Sequence, residues 1–170
     1  MACSQSLTAI ARDCTPSMGG VKRVLAANHA DVAAITVTTN VVTAISMASS
    51  KKFLPFDFKP GASNMSSNYQ VNAENGVAYV QTDLVMVFNR METSKRVALT
   101  ALAQADLYVI VEDNNGKYWL LGHDEEVMMS AGDGLTGTAR TDRNGYSITL
   151  TDNSKEFPLE VDSEIIADLL

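Results

Sequence analysis

The fold of this chain is decided by the stretch from residue 63 to residue 88, which reads SNMSSNYQVNAENGVAYVQTDLVMVF. At its centre is Asn75-Gly76. An Asn-Gly pair between two alternating segments is the strongest short-range signal of a β-hairpin, because both central residues of a type I′ turn need positive φ. With these two residues as the loop, Asn72 is expected to pair with Tyr79. The sequence therefore predicts a long hairpin here.

Side-chain alternation divides this predicted hairpin into two faces. One face is apolar and consists of Tyr69, Val71, Val80, Leu84, Met86 and Phe88. The other face includes Val77, Tyr79, Val85 and Val87, together with a row of polar side chains: Ser66, Asn68, Gln70, Asn72, Gln81 and Asp83. This row carries amides and hydroxyls where a solvent-exposed strand usually carries Lys and Glu. It is therefore the first candidate functional surface.

Length and charge restrict the class of protein. A chain of 170 residues fits one domain with a sizeable core. Its net charge is −7 and its 13 Lys and Arg residues are scattered, which argues against a protein that grips nucleic acid backbone. No run approaches 18 apolar residues, and the start lacks the pattern of a signal peptide. Synthesis in a reducing cytoplasm, without membrane contact, is expected.

Residues 1–20 are predicted to form an N-terminal arm, because the segment ends in the loop signal Pro16-Ser17-Met18-Gly19-Gly20. Residues 21–170 are predicted to form a single β-rich domain. Both cysteines, Cys3 and Cys14, lie in the arm. They are interpreted as free small hydrophobes, with a disulfide between them as the alternative. Their spacing does not indicate a metal site.

Most of the remaining pattern is β. Short runs rich in Val, Ile and Thr predict strands at residues 21–27, 32–38, 41–47, 107–112, 117–122, 127–130, 136–141, 146–151 and 158–161. Further hairpin turns are expected at Asn115-Gly116 and Asn144-Gly145. The fold class is therefore mainly β, a sandwich or barrel with one flanking α-helix.

The flanking helix is predicted at residues 93–105, with Thr93 or Ser94 as its N-cap. Its apolar stripe is expected to consist of Val97, Ala98, Ala101, Leu102 and Ala105. Residues 165–170 are interpreted as an apolar tail.

Residues 51–60 are predicted to form an edge strand or an extended loop, because they contain Pro55 and Pro60. The segment also carries Phe53, Phe56 and Phe58. Two interpretations stay open for these rings: an exposed apolar loop that contacts a partner, or a loop packed over the core.

No catalytic motif is present. Gly132-Asp133-Gly134 lacks the context of a phosphate-binding loop and is interpreted as a flexible loop. The rival hypothesis is a small hydrolase or metal-binding module built on His123, Asp124 and Glu125, but consecutive residues on a turn point in divergent directions. The chain is therefore predicted to be no enzyme, with no catalytic residues, no metal site and no cofactor.

Several segments, taken together, resemble the tail tube (major tail) proteins of long-tailed bacteriophages. The segments that carry this resemblance are Asp13-Cys14 through Gly19-Gly20-Val21, Tyr79-Val80-Gln81-Thr82 through Phe88-Asn89 with the helix that follows, Glu112-Asp113-Asn114-Asn115-Gly116-Lys117-Tyr118-Trp119, Thr136-Gly137-Thr138, and Asn144-Gly145-Tyr146-Ser147-Ile148-Thr149-Leu150.

The resemblance implies a structural virion protein, assembled in the bacterial host cytoplasm into stacked rings, which are expected to be homo-hexamers. The inner wall of each ring would be a barrel of hairpin strands. The polar row Ser66 to Asp83 would face the lumen, through which DNA passes as non-specific cargo. Phe53, Phe56, Phe58 and the arm would form ring-to-ring contacts.

A second lumen hairpin is expected at residues 32–47, with Ile35, Val37, Val41 and Ile45 on one face. The implied partners are copies of the chain itself and other tail proteins. The alternatives are a capsid decoration protein, another phage structural β-protein, or an inner-tube ring protein of a contractile tail or type VI secretion system.

Overall fold

The computed structural model of the chain describes residues 8–59 and 61–170. It is a mainly β protein in which two sheets pack face to face. The larger sheet has seven strands: β1 (Val21–Asn28), β2 (Val32–Thr38), β3 (Val41–Met47), β4 (Leu54–Phe56), β7 (Leu107–Asp113), β8 (Tyr118–Leu121) and β11 (Leu159–Val161). The smaller sheet has four: β5 (Asn64–Asn72), β6 (Val77–Asn89), β9 (Met128–Leu135) and β10 (Gly145–Ser154).

The strands follow the order β2-β3-β11-β8-β7-β1-β4 in the larger sheet and β5-β6-β10-β9 in the smaller one. Adjacent strands are antiparallel except for β3 and β11. Both sheets are open at their edges, so no barrel closes within the described residues. The helical elements are α1 (Thr93–Leu102), α2 (Ile166–Leu169) and two short 3-10 turns, His29–Asp31 and Ser163–Ile165.

The larger sheet is covered on both faces. The core between the two sheets includes Val24, Leu84, Met86, Val109 and Leu150. A second core, on the far side of the larger sheet, includes Leu25, Ile110, Leu120, Ile166 and Leu169. Because β1 and β7 contribute to both cores, they have apolar runs in place of an alternating pattern.

The hairpin β5–β6 is confirmed, but its predicted register and turn type are wrong. Its loop has four residues, 73–76, so Asn72 pairs with Val77 and not with Tyr79. The Oδ1 atom of Asn72 accepts the backbone N–H groups of residues 74 and 75, at 3.1 and 3.2 Å, which stabilises the wider loop. Only Gly76 in the loop has positive φ. The shift is two residues, so each side chain stays on its predicted face.

Two other hairpins agree with the sequence. The β2–β3 turn has positive φ at both Thr39 (53°) and Asn40 (61°), which is the type I′ geometry. The β7–β8 hairpin turns at Asn115-Gly116, where Gly116 has a φ of 77°.

The prediction for residues 127–145 is wrong in three places. The hairpin turn expected at Asn144-Gly145 is absent, because Gly145 already belongs to β10 and pairs with Leu135 across a loop of residues 136–144. Residues 136–141 are a loop, held by Asp142 Oδ2, which accepts the N–H groups of Thr138 and Ala139 at 2.8 and 2.7 Å. Gly132-Asp133-Gly134, interpreted as a flexible loop, belongs to strand β9. The glycine at 134 makes room for a neighbouring side chain, because a Cβ there would lie 3.3 Å from the ring of Tyr146.

Helix α1 is shorter than predicted, and its predicted apolar stripe is correct only at Leu102 and Ala105, which pack on the core. It ends at Leu102, and its N-cap is Glu92, whose side chain accepts no capping hydrogen bond. The buried residues are Leu99 and Leu102. Val97 is 56% exposed, so the predicted stripe through Val97, Ala98 and Ala101 is not the face that packs on the core.

The apolar tail at residues 165–170 is part of the fold. Ile166 and Leu169 are buried in the second core, and the Leu169 carbonyl accepts the N–H of Phe53 at 2.9 Å. Phe53 is itself only 2% exposed, so its predicted role as a contact between rings is wrong: its ring packs inside its own subunit. The alternative of a loop packed over the core holds for this residue.

Candidate functional site

The outer face of the smaller sheet is the candidate functional surface. All six predicted polar residues lie on it: Ser66, Asn68, Gln70, Asn72, Gln81 and Asp83. Strand β10 extends the same face, since Thr149, Thr151 and Asn153 lie opposite Val85, Asp83 and Gln81. The charged residues that the strands place on this face are Asp83 and Asp133, both acidic. Within the described strands, this face therefore presents neutral polar groups, carboxylates and a few exposed apolar side chains (Val77, Tyr79 and Met128 among them) to solvent, but no Lys or Arg.

The polar groups at the middle of this face are bonded to one another. Thr151 Oγ1 donates to Asp83 Oδ1 at 2.7 Å, and Gln81 Nε2 lies 3.3 Å from Asp83 Oδ2. The hydroxyl oxygens of Thr151 and Ser130 are 2.8 Å apart. Thr151 and Ser130 did not enter the predicted surface, although the alternation Ser147, Thr149, Thr151, Asn153 is visible in the sequence.

The far end of the β5–β6 hairpin extends beyond the sandwich. Here the apolar face has no opposing sheet, so Tyr69 is 50% exposed and Val71 is 68% exposed. The ring of Tyr69 contacts the ring of Phe157 edge-on, with centroids 5.7 Å apart, and Phe157 is also half exposed. An apolar patch thus flanks the hairpin tip.

Two edge strands lack the charged residues and prolines that commonly protect sheet edges. Strand β2, at the edge of the larger sheet, has seven residues, and β5, at the edge of the smaller sheet, has nine. Neither contains a charged residue or a proline. Charges, prolines and short length are the usual means of preventing a sheet edge from pairing with another chain. The other two edges have such features: β4 is three residues long with Pro55, and β9 contains Asp133.

The second hairpin, β2–β3, presents the predicted face except at Val41. Register shifts next to Ala33 and near Thr43 change the alternation, so Val37 pairs with Val42 and Val41 pairs with Thr38. Ile35 and Ile45 pack against the second core. Ile35, Val37 and Ile45 therefore share one face as expected, but Val42 takes the place of Val41, which lies on the opposite face. The opposite face carries the exposed residues Ala34, Thr36, Ala44 and Ser46.

The remaining aromatic candidates, Phe56 and Phe58, are half buried. Both rings pack edge-on against Phe88, with centroids 6.5 and 6.4 Å away. Their predicted role between rings stays a prediction.

The residues of the rival metal or hydrolase site lie together but do not converge. His123 Nδ1 is 3.8 Å from Asp124 Oδ1, and Asp124 also accepts the N–H of Lys155 at 2.8 Å. Over residues 8–59 and 61–170, no group of three His, Cys, Asp or Glu side chains is placed to hold a metal ion. His29 stacks on Tyr108 at 4.5 Å.

One buried carboxyl lies near this turn. Asp152 is 1% exposed and accepts the N–H of Gly122 at 3.1 Å and the hydroxyl of Ser154 at 2.7 Å. Burial raises its pKa, and these two hydrogen bonds oppose the rise. Both oxygens are occupied by local groups, so Asp152 stabilises the β8–β10 contact.

The arm is anchored at its base. Asn115 exchanges two hydrogen bonds with the backbone of Met18, at 2.8 and 3.0 Å, and Asn114 Nδ2 donates to the carbonyl of Gly19 at 2.7 Å. Residues 8–17 are exposed and contain no helix or strand. The alternative of a disulfide between Cys3 and Cys14 involves Cys3, which lies outside the described residues.

The fold and its surfaces define a two-sheet β protein with an extended neutral polar face and two edge strands that lack charges and prolines. No protein-family model matches the chain, and neither a curated protein nor a solved structure matches it. Among the described helices, none is long and apolar enough to cross a membrane.

Proposed function

We propose that this chain is a structural subunit that assembles with copies of itself into a ring, and that the rings form the tube of a phage tail through which DNA passes. One observation carries the proposal: each sheet ends in a long edge strand, β2 or β5, with no charge and no proline. Two such edges on one subunit offer a donor and an acceptor for strand pairing around a closed ring.

The polar face supports the same function. A channel wall for DNA must be wet and must not bind phosphate, because each Lys or Arg that pairs with a phosphate adds affinity. The neutral polar side chains of β5, β6 and β10 meet this requirement. The carboxylate of Asp83, which has no positive partner among the described residues, repels phosphate. The net charge of −7 per subunit acts in the same direction.

Lysine substitutions at the two edges test the assembly. Thr36→Lys on β2 and Asn68→Lys on β5 place a charge on exposed side chains of the edge strands. Both variants are expected to remain folded but to stay monomeric, because an edge lysine must lose its hydration when a neighbouring strand pairs there. Thr100→Lys, on the exposed side of α1, is the matched control and is expected to assemble like the wild type.

Light scattering after gel filtration measures the mass, and negative-stain images show whether the particles are rings with an axial hole. Wild-type protein that stays monomeric at all concentrations would contradict the proposal. Particles without a hole that bind a capsid lattice would indicate a decoration protein instead.

A further inference from the structure

A groove of about 230 Å³ lies between helix α1 and the β4 edge of the larger sheet. Its apolar lining includes Leu54, Phe56, Ala98, Ala101 and Ala105. Leu54 is 63% exposed although it is a large apolar residue. The small alanine side chains of the helix leave the space open.

The charged residues that line the groove are already occupied. Lys52 Nζ donates to the carbonyl oxygens of Asp168 and Leu170, at 3.3 and 2.7 Å. The carboxylate of Asp31 pairs with Lys51 at 3.3 Å. An occupant of the groove therefore has to match an apolar surface and needs no charge of its own.

The N-terminal arm contains a segment with this character. Thr8-Ala9-Ile10-Ala11 carries no charged side chain, and Ile10 is 97% exposed. Burial of an isoleucine side chain that is otherwise exposed removes apolar surface from water and so stabilises a contact. The segment gains none of this within its own subunit.

The arm and the groove lie at opposite ends of strand β1. The arm is anchored beside Val21, where β1 begins, and the groove reaches Ala26 and Asn28, where β1 ends. Seven steps along a strand span about 23 Å. Copies that stack end to end bring the arm of one beside the groove of the next, and such a head-to-tail contact can repeat without limit.

We infer that residues 8–11 of one copy dock into the groove between α1 and β4 of the next copy, with Ile10 as the anchor. The inference rests on the proposed function in one respect, that the copies which stack are rings. It identifies the receiving surface of the arm, and it gives a role to Ala98 and Ala101, which the subunit's own core leaves exposed.

Two variants test the contact from its two sides. Ile10→Asp places a charge on the anchor, and Ala101→Glu fills the groove with a charged side chain. Both are expected to leave single rings or short stacks where the wild type forms long tubes in negative stain. Ser17→Asp in the arm and Ser94→Glu on α1 add the same charge at exposed positions outside the contact. They are expected to give tubes of wild-type length.

An equimolar mixture of the two variants separates docking between copies from docking within one copy. Each Ile10→Asp ring keeps its groove and each Ala101→Glu ring keeps its arm, so the mixture is expected to form pairs of rings that grow no further. A mixture that contains only single rings indicates docking within one copy and overturns the inference. Tubes of wild-type length from either variant alone also overturn it.

The proposed function and this inference can fail separately. If the wild type forms no rings, the tube is refuted, and sedimentation of the same mixture still tests the contact. A heterodimer of the two variants, absent from each variant alone, then supports head-to-tail docking. No association in that mixture overturns the inference as well.

Discussion

Replacement of Gln81, Asp83 and Thr149 by lysine, all on inner strands of the smaller sheet, is expected to convert the polar face into a DNA-binding surface. The triple variant changes the formal charge of the subunit from −7 to about −3. A ring of six would change from about −42 to about −18, with all of the new positive charge on one wall. DNA within the ring would then meet about 18 lysines, each able to pair with a phosphate.

The structural cost of this change is small and can be measured separately. Gln81 and Asp83 are half buried, and Asp83 loses the hydrogen bond from Thr151. A hydrogen bond to a charged group contributes about 1.5–3 kcal/mol, and partial exposure places this one near the lower value. The triple variant is therefore expected to lose about 1.5 kcal/mol of unfolding free energy and still form rings.

DNA retention by assembled tubes is the readout, measured by fluorescence anisotropy of short duplexes over a range of salt concentrations. Wild-type tubes are expected to show no binding, and the triple variant is expected to bind with an affinity that falls steeply with salt. A control with the same charge change, Thr93, Thr100 and Asp106 to lysine, places it on exposed positions around α1. Equal DNA binding by both variants would show that the face of β6 and β10 does not line the channel.

Two further predictions concern buried carboxyls. Burial raises the pKa of Asp152, so the folded state binds a proton more readily than the unfolded state, and the wild-type free energy of unfolding falls as pH rises from 3.8 through the raised pKa. Asp152→Asn keeps an acceptor for the N–H of Gly122 and should remove this pH dependence in urea unfolding. A loss of more than about 2 kcal/mol at pH 7 in this variant would contradict the prediction. Glu112 is 3% exposed and pairs with Lys22 and Arg23 at 2.5 and 3.1 Å, and both cations keep access to water. Glu112→Ala should therefore cost about 1.5 kcal/mol in the same assay, for the lost hydrogen bonds to a charged group, and a cost below about 0.5 kcal/mol would refute a stabilising role.

The faces of the long hairpin could be predicted from sequence, and its register could not. The alternation of apolar and polar residues fixes which side of the sheet a residue occupies. The register depends on the length of the loop. The side chain of Asn72 accepts the backbone N–H groups of residues 74 and 75, and this favours a four-residue loop over the two-residue turn that Asn75-Gly76 indicates. The two outcomes differ by two residues, so the six polar residues share one face as expected, while their role stays a prediction.

Predictions failed where tertiary contacts override a local pattern. The glycines of β9 were interpreted as a loop, because the use of Gly134 as space for Tyr146 depends on a strand that follows later in the chain. The alternation in β2–β3 is changed near Thr43 by a bulge with no sequence signal of its own. The alanine-rich sequence of α1 is compatible with more than one apolar face. The position of the sheets determines which of these faces is buried.

The ladder that joins β6 to its two neighbours has a mechanical consequence. Strand β6 pairs with β5 over nine residues and with β10 over ten, without a register shift in either ladder. The hydrogen bonds of such ladders lie across the strand direction. A pull along β6 therefore loads many of them together in shear, and none can open before its neighbours. If these strands form the wall of a tube, the wall is stiffest along β6, and strain is taken up first at the shorter ladders of the larger sheet, such as the two-residue contact between β3 and β11.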